Sequence, residues 1–229
     1  MNTTIILAAG KGRRMKSDVN KLLMSIAGKP VIEYTLDAFE SCDEVHEIIL
    51  VTSEDEYAYY NDLKGSSHYS KIKSIVIGGA ERQDSVYNGL MKISGECEIV
   101  LIHDGARPFV TKDIITACIA DAKLFGAASA GMPVKDTIKI VSAKGTVNYT
   151  PRRDNIWITQ TPQSFQREVI MEAHDRAKEQ CFSGTDDAVL AERAGYTVKM
   201  VEAGYENIKI TTPEDILIAE AIINRRQTV

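Results

Sequence analysis

The sequence predicts an α/β fold built on a mostly parallel sheet, and three observations predict it. Short continuous apolar runs recur along the chain, stretches with helical spacing of apolar residues separate them, and a loop rich in glycine and basic residues follows the first run. A continuous run marks a strand buried on both faces, and a β-α-β-α order builds parallel strands through right-handed crossovers. In such a sheet, ligands bind beyond the carboxyl ends of the strands, where the following loops converge.

The strand-like runs lie at residues 3–8, 47–52, 74–77, 99–103 and 127–134, each bounded by Gly, Asp or Ser. Val31, Leu36 and Phe39 mark a first helix. Val86, Leu90 and Ile93 mark a second, and Ile114, Ile115, Cys118, Ile119 and Ala122 a third. From Asp136 to Trp157 the pattern changes. Basic residues (Lys135, Lys139, Lys144, Arg152, Arg153) alternate with Ile138, Ile140, Val141, Val147 and Tyr149 around Ala143-Lys144-Gly145, which reads as a half-exposed hairpin projecting from the domain. Such a ribbon often finds a partner chain. Helical stretches are then expected near 165–179 and 185–194, strands at 197–202 and 207–210, and a last helix opened by Thr212-Pro213-Glu214-Asp215, with an N-cap, a proline at the first helical position and acids in the first turn. No repeat, linker or low-complexity segment intervenes, so residues 1–229 read as one domain with an arm at about 136–157.

Composition narrows the function. Of 229 residues, 44% are apolar and 26% charged, an ordinary globular balance. Lys and Arg total 27 against 32 Asp and Glu, and a formal charge of −5 argues against a surface built for nucleic acid or for an anionic membrane. An anionic substrate would need a local basic cluster set against the global sign. No charged segment precedes the apolar stretch near the N-terminus, and no apolar run reaches the roughly 18 residues of a membrane span, so a cytoplasmic protein is expected. Cys42, Cys97, Cys118 and Cys181 are far apart with no metal-ligand spacing, and read as reduced, buried, inert thiols.

The local cluster follows the first strand, in Leu7-Ala8-Ala9-Gly10-Lys11-Gly12-Arg13-Arg14-Met15. Its glycines let backbone N–H groups approach an anion, and Lys11, Arg13, Arg14 and then Lys21 supply charge. The segment is no Walker A loop, and Met15 stands where a dinucleotide fingerprint has its third glycine, which disfavours a dinucleotide-dependent reductase. A triphosphate suits it better. The plain alternative is a tight turn whose cations face water.

Further motifs decide between these readings. His103-Asp104-Gly105-Ala106-Arg107-Pro108, the segment Gly78-Gly79-Ala80-Glu81-Arg82-Gln83-Asp84-Ser85, Thr161-Pro162-Gln163 and Asn207-Ile208-Lys209-Ile210-Thr211 join the first loop in order along nearly the whole chain. Together they resemble the 2-C-methyl-D-erythritol 4-phosphate cytidylyltransferases of the non-mevalonate isoprenoid pathway. The resemblance implies a GT-A-like, Rossmann-related nucleotidyltransferase domain with a protruding β-arm. It also implies transfer of CMP from CTP to the polyol phosphate, with release of pyrophosphate and use of Mg²⁺.

By the same resemblance, Gly10, Gly12 and Arg14 hold the triphosphate, and Lys21 and Lys209 contact the α-phosphate. Ala8 and Ala9 line the nucleotide with Gly105, while Gly79 and Ser85 read cytosine. Asp104 lies near ribose, metal and substrate phosphate. Arg107, Thr137, Arg153, Thr161 and Thr185 serve the polyol phosphate, and His103 orients its loop. A homodimer through the arm is implied, with Thr137 and Arg153 reaching the neighbouring subunit's site. Asn20-Lys21-Leu22 stands where relatives usually carry Pro-Lys-Gln, Ala80 replaces a more usual polar residue, and Arg152 takes a place often acidic. A ribitol 5-phosphate cytidylyltransferase and a non-catalytic sugar-nucleotide sensor are the competing readings.

Overall fold

The structure, a computed structural model, describes residues 1–10 and 20–228. β1 (Asn2–Leu7) is followed by a small hairpin, β2 (Ser25–Ile26) and β3 (Lys29–Pro30), and by α1 (Val31–Glu40). Next come β4 (Glu47–Thr52), α2 (Tyr57–Gly65), β5 (Ile72–Ile77), α3 (Arg82–Leu90), β6 (Ile99–Asp104), α4 (Lys112–Phe125) and β7 (Ala127–Pro133). A second hairpin, β8 (Ile140–Val141) and β9 (Val147–Tyr149), precedes β10 (Trp157–Gln166), α5 (Arg167–Glu179), α6 (Asp187–Arg193), β11 (Val198–Glu202) and α7 (Pro213–Thr228).

Seven strands form one sheet in the order β11-β7-β10-β6-β1-β4-β5. Neighbours run parallel except at β10, which is antiparallel to both β6 and β7. Strand alternation splits the continuous apolar runs between two cores. Ile6, Ile48, Leu50, Ile99 and Leu101 pack on one face, against Leu36 and Phe39 of α1, Ile119 of α4 and Ile223 of α7. Ile5, Ile49, Val51, Val100 and Ile102 pack on the other, against Val86 of α3, Ile170 of α5 and Leu190 of α6. Truncating a fully buried anchor such as Phe39 to Ala would cost about 3–5 kcal/mol.

Local chemistry starts and stops the helices that matter for the site. α3 opens on a capping box in which Glu81 and Asp84 satisfy each other's backbone N–H groups. The Thr111 side chain caps α4 and Asp186 caps α6, each worth about 1 kcal/mol. At α7, Asp215 accepts from the N–H groups of Thr211 and Thr212 at 2.7 and 2.8 Å.

Several expectations need correction. Residues 157–166 form a ten-residue strand, where only a helix starting near Phe165 was expected. The pairing of β10 with β7 shifts register between Thr159 and Gln163, and that irregularity accommodates Pro162, which lacks a ladder donor. Residues 207–210 join no sheet: Arg107 donates to the Asn207 carbonyl, Lys21 to the Ile210 carbonyl, and Ile210 N–H to the Ala106 carbonyl. The first strand is Asn2–Leu7, one residue earlier than read, and α6 begins at Asp187. Cys181 is exposed, unlike the other three cysteines.

The expected hairpin is present. β8 and β9 pair antiparallel around a turn with Gly145 at φ 78°, a left-handed conformation that glycine adopts without strain. Ile140, Val141, Val147 and Tyr149 are all exposed on it.

Candidate active site

A cleft of about 550 Å³ opens at the carboxyl ends of β1, β5 and β6. Its lining includes Ala9, Gly10, Lys21, Gly79, Glu81, Arg82, Ser85, Asp104, Lys209 and Thr211. Backbone ties hold its walls to the sheet: Ala8 N–H donates to Val51, Gly78 N–H to Thr52 and Gly105 N–H to Leu7, over 2.6, 2.8 and 2.9 Å. Two glycines are there for lack of space. A Cβ at Gly105 would stand 2.9 Å from the Leu7 carbonyl and 2.8 Å from Ile32, and one at Gly79 would collide with Asp84. Ser85 fixes the glycine loop by accepting from Gly79 N–H and donating to the Glu81 carbonyl, both at 3.1 Å.

Asp104 is the electrostatic centre. Its carboxylate accepts from Lys209 Nζ at 2.7 Å, from Arg82 Nε at 3.5 Å, and lies 3.9 Å from Arg107 Nε. Burial alone would raise its pKa, but the charges of Lys209, Arg82 and Arg107 hold it well below the usual carboxylate range. Lys21 reaches the same place from the other side, donating to the Ile210 carbonyl at 2.9 Å, and Ile210 N–H is in turn bonded to the Ala106 carbonyl. Two lysines far apart in sequence therefore converge on one wall of the cleft.

A buried chain of hydrogen bonds supports the Asp104–Arg107 turn. Asp104 N–H donates to Thr161 Oγ1 at 3.1 Å, Thr161 Oγ1 lies 3.2 Å from His103 Nδ1, and His103 Nε2 lies 3.2 Å from the Arg107 carbonyl. One assignment satisfies all three: the Thr161 hydroxyl donates to Nδ1, and Nε2–H donates to the carbonyl. Burial pushes the His103 pKa down to about 3, so the ring is neutral and acts as a brace. Arg107 donates to the Asn207 carbonyl at 2.8 Å, and Asn207 Nδ2 donates to Gln160 and to the Thr161 carbonyl, both at 2.9 Å. Arg107 Nε is buried with no hydrogen-bond partner among the described residues, a cationic donor suited to an incoming anion.

The cleft thus unites Ala9, Gly10, Lys21, Gly79, Ser85, Asp104 and Lys209, with Ala8, Gly105 and Arg107 immediately behind it. Thr161 lies beneath Asp104 with its hydroxyl engaged internally. Thr137, Arg153 and Thr185 are exposed and line no part of the cleft; Arg153 Nη1 donates to the Lys135 carbonyl at 2.9 Å. Gly12 and Arg14, with Lys11, Arg13 and Met15, lie outside the described residues.

Sequence reasoning assigned no role to Arg82 or Asp187. Arg82 Nη1 donates to Asp187 Oδ2 at 2.7 Å, and His174 Nε2 lies 3.1 Å from Asp187 Oδ1 in full burial. Burial would raise the Asp187 pKa, but Arg82 and His174 keep it below the usual range. Arg82 could have been suspected as a cation within a glycine motif. Nothing local marked Asp187, which reads as an ordinary acid at a helix start.

A mostly parallel sheet with glycine-walled loops at its carboxyl edge and cations converging on one carboxylate defines an α/β nucleotidyltransferase. Solved structures similar to this chain agree: one from Anaerococcus prevotii, described as 4-diphosphocytidyl-2C-methyl-D-erythritol synthase, superposes with a TM-score of 0.87 at 33% identity, covering 97% of this chain and 98% of that one. A 2-C-methyl-D-erythritol 4-phosphate cytidylyltransferase from Thermus thermophilus gives 0.76 at 29% identity over 97% and 98%. The chain belongs to the 2-C-methyl-D-erythritol 4-phosphate cytidylyltransferase (IspD) family, whose model matches residues 3–225. A relative of that name from Caldanaerobacter subterraneus subsp. tengcongensis is 50% identical over 225 residues, 97% of this chain and 99% of its own.

Proposed function

We infer that this chain transfers CMP from CTP to 2-C-methyl-D-erythritol 4-phosphate, giving 4-diphosphocytidyl-2-C-methyl-D-erythritol and pyrophosphate in isoprenoid biosynthesis, the activity of the family to which it belongs. The observation that carries the chemistry is the convergence of Lys21 and Lys209 beside Asp104. An oxygen of the polyol phosphate attacks the α-phosphorus, a new P–O bond forms, and the bond to the β-phosphate breaks with its electron pair leaving on pyrophosphate. The attacking phosphate has a second pKa of about 6 and is mostly dianionic at neutral pH, so no general base is needed. The difficulty is bringing two polyanions together, which backbone donors and cations solve. Lys21 and Lys209 hold the α-phosphate; Gly10, with Gly12 and Arg14, holds the triphosphate; Gly79 and Ser85 face the base. Arg107, held beside Asp104 at the edge of the cleft, receives the polyol phosphate.

Mg²⁺ fits this cleft in one way. Among the described residues no group of three or more His, Cys, Asp or Glu side chains gathers to cage a metal, whereas a magnesium carried by phosphates and held by one carboxylate needs only Asp104. When bound, the ion neutralises phosphate charge. We also propose a homodimer through the arm. What supports this reading is that Thr137 and Arg153 are exposed, outside their own cleft, on a segment with an apolar surface at Ile140, Val141, Val147 and Tyr149. The cytoplasmic reading rests on the four free cysteines and the acidic surface, and no helix among the described residues is long and apolar enough to cross a membrane.

A pyrophosphate-release assay over four nucleoside triphosphates and several polyol phosphates tests the activity. Release with CTP and methylerythritol phosphate, lost on chelating divalent ions, is expected. Preference for ribitol 5-phosphate, or no turnover with any pair, would overturn it.

A further inference from the structure

The first turn of α3 makes contacts that the transfer reaction does not explain. Gln83 is the second residue of the helix, and its amide leaves the helix altogether. Its Nε2 donates to the Phe182 carbonyl at 3.1 Å, and its Oε1 accepts from Gly184 N–H at 3.0 Å. One side-chain amide thus satisfies both faces of a loop about a hundred residues distant. The adjacent Arg82 grips the far end of the same loop at Asp187. Thr185 lies between these two anchors. The loop packs closely enough on α6 to need glycine at 184, where a Cβ would meet Leu190 at 2.7 Å and the Asp186 carbonyl at 3.1 Å. On its other side the same helical turn, through Ser85, holds the glycine loop that lines the cleft.

We propose that Gln83 is a positioning residue for the polyol phosphate: it holds the loop 182–187 in the place from which Thr185 meets that substrate. Gln83 lines no part of the cleft and its amide is spent on the loop, so in this proposal it acts only through the loop. The proposal rests on the reading of Thr185 as a polyol-phosphate ligand. A purely structural clasp would lower the melting temperature and leave both Michaelis constants alike. A positioning clasp separates them.

The test is steady-state kinetics with the full-length protein, varying CTP and 2-C-methyl-D-erythritol 4-phosphate in turn. Losing two neutral hydrogen bonds, Gln83→Met should raise the KM for the polyol phosphate by about tenfold and leave that for CTP within about twofold. Gln83→Glu keeps the acceptor for Gly184 N–H and should recover part of the loss. Thr185→Val should raise the same constant, and the double variant should be no worse than Thr185→Val. Equal changes in both constants, or no change in either from both Gln83 variants, would overturn the clasp whatever Thr185→Val does. A silent Thr185→Val beside an active Gln83→Met would instead refute the Thr185 reading while upholding the loop's role.

Discussion

The cleft and the hairpin arm are built on opposite principles. Around the cleft, Asp104 is buried among three cations, His103 and Thr161 brace its turn, and glycines stand where a Cβ would strike backbone or a neighbouring side chain. On the arm, Ile140, Val141, Val147 and Tyr149 are exposed and the Arg153 guanidinium donates to its own chain's Lys135 carbonyl. In the proposed function, a nucleoside triphosphate meets Lys21, Lys209 and the Gly79 loop, which line one cleft of one chain. The same proposal assigns the polyol phosphate two residues, Thr137 and Arg153, that lie outside their own chain's cleft. One half of the site is preorganised, and we read the other as completed by assembly.

The largest way to break this contrast is to strip the cleft of its charge. Lys209→Ala or Lys21→Ala should lower kcat by about 10²–10³, comparable to losing one preorganised donor to a developing charge. Pyrophosphate release under saturating substrates checks it, and unchanged turnover in either variant would refute the role of that lysine. Next, Asp104→Asn leaves Lys209, Arg82 and Arg107 facing one another without their shared anion. The variant should lose about 1–3 kcal/mol of stability in the empty state. Added pyrophosphate should raise its melting temperature more than that of the wild type, since the ligand resupplies the missing charge. The smallest effect is expected from the arm: Arg153→Ala should raise the KM for the polyol phosphate by about tenfold, the value of one lost charged contact, and leave the CTP constant unchanged.

The sequence disclosed the cleft better than its surroundings. Continuous apolar runs located β1, β4 and β6 because both faces are buried, so no polar alternation obscured them. The basic and glycine motifs identified Lys21, Gly79, Asp104 and Lys209, since each stands in a loop directly beyond a strand or on a segment tied to one. β10 was missed because Thr159-Gln160-Thr161-Pro162-Gln163-Ser164 is polar and carries a proline, yet it lies inside the sheet with Gln160 to Phe165 buried. Gln163 spends its hydrogen bonds on Ser129, Asp186 and the start of α6, partners distant in sequence that no linear pattern reveals. Residues 207–210 look like a strand but serve as an anchor, with Arg107 on the Asn207 carbonyl and Lys21 on that of Ile210. The triad Arg82, Asp187 and His174 was hidden for the same reason: Arg82 meets Asp187 across 105 residues, and His174 meets it across 13, from another helix.

The division of labour between cleft and arm meets its most direct test in a purified heterodimer that pairs an Arg153→Ala subunit with a Lys21→Ala subunit. With the polyol phosphate well below its KM, where the Arg153→Ala homodimer should run at about a tenth of the wild-type rate, the account predicts about half the activity of the wild-type dimer, because the Arg153→Ala subunit keeps its own Lys21 and receives an intact arm from its partner. Activity no higher than that of the two variant homodimers would mean that each site uses its own Arg153, and would contradict arm exchange.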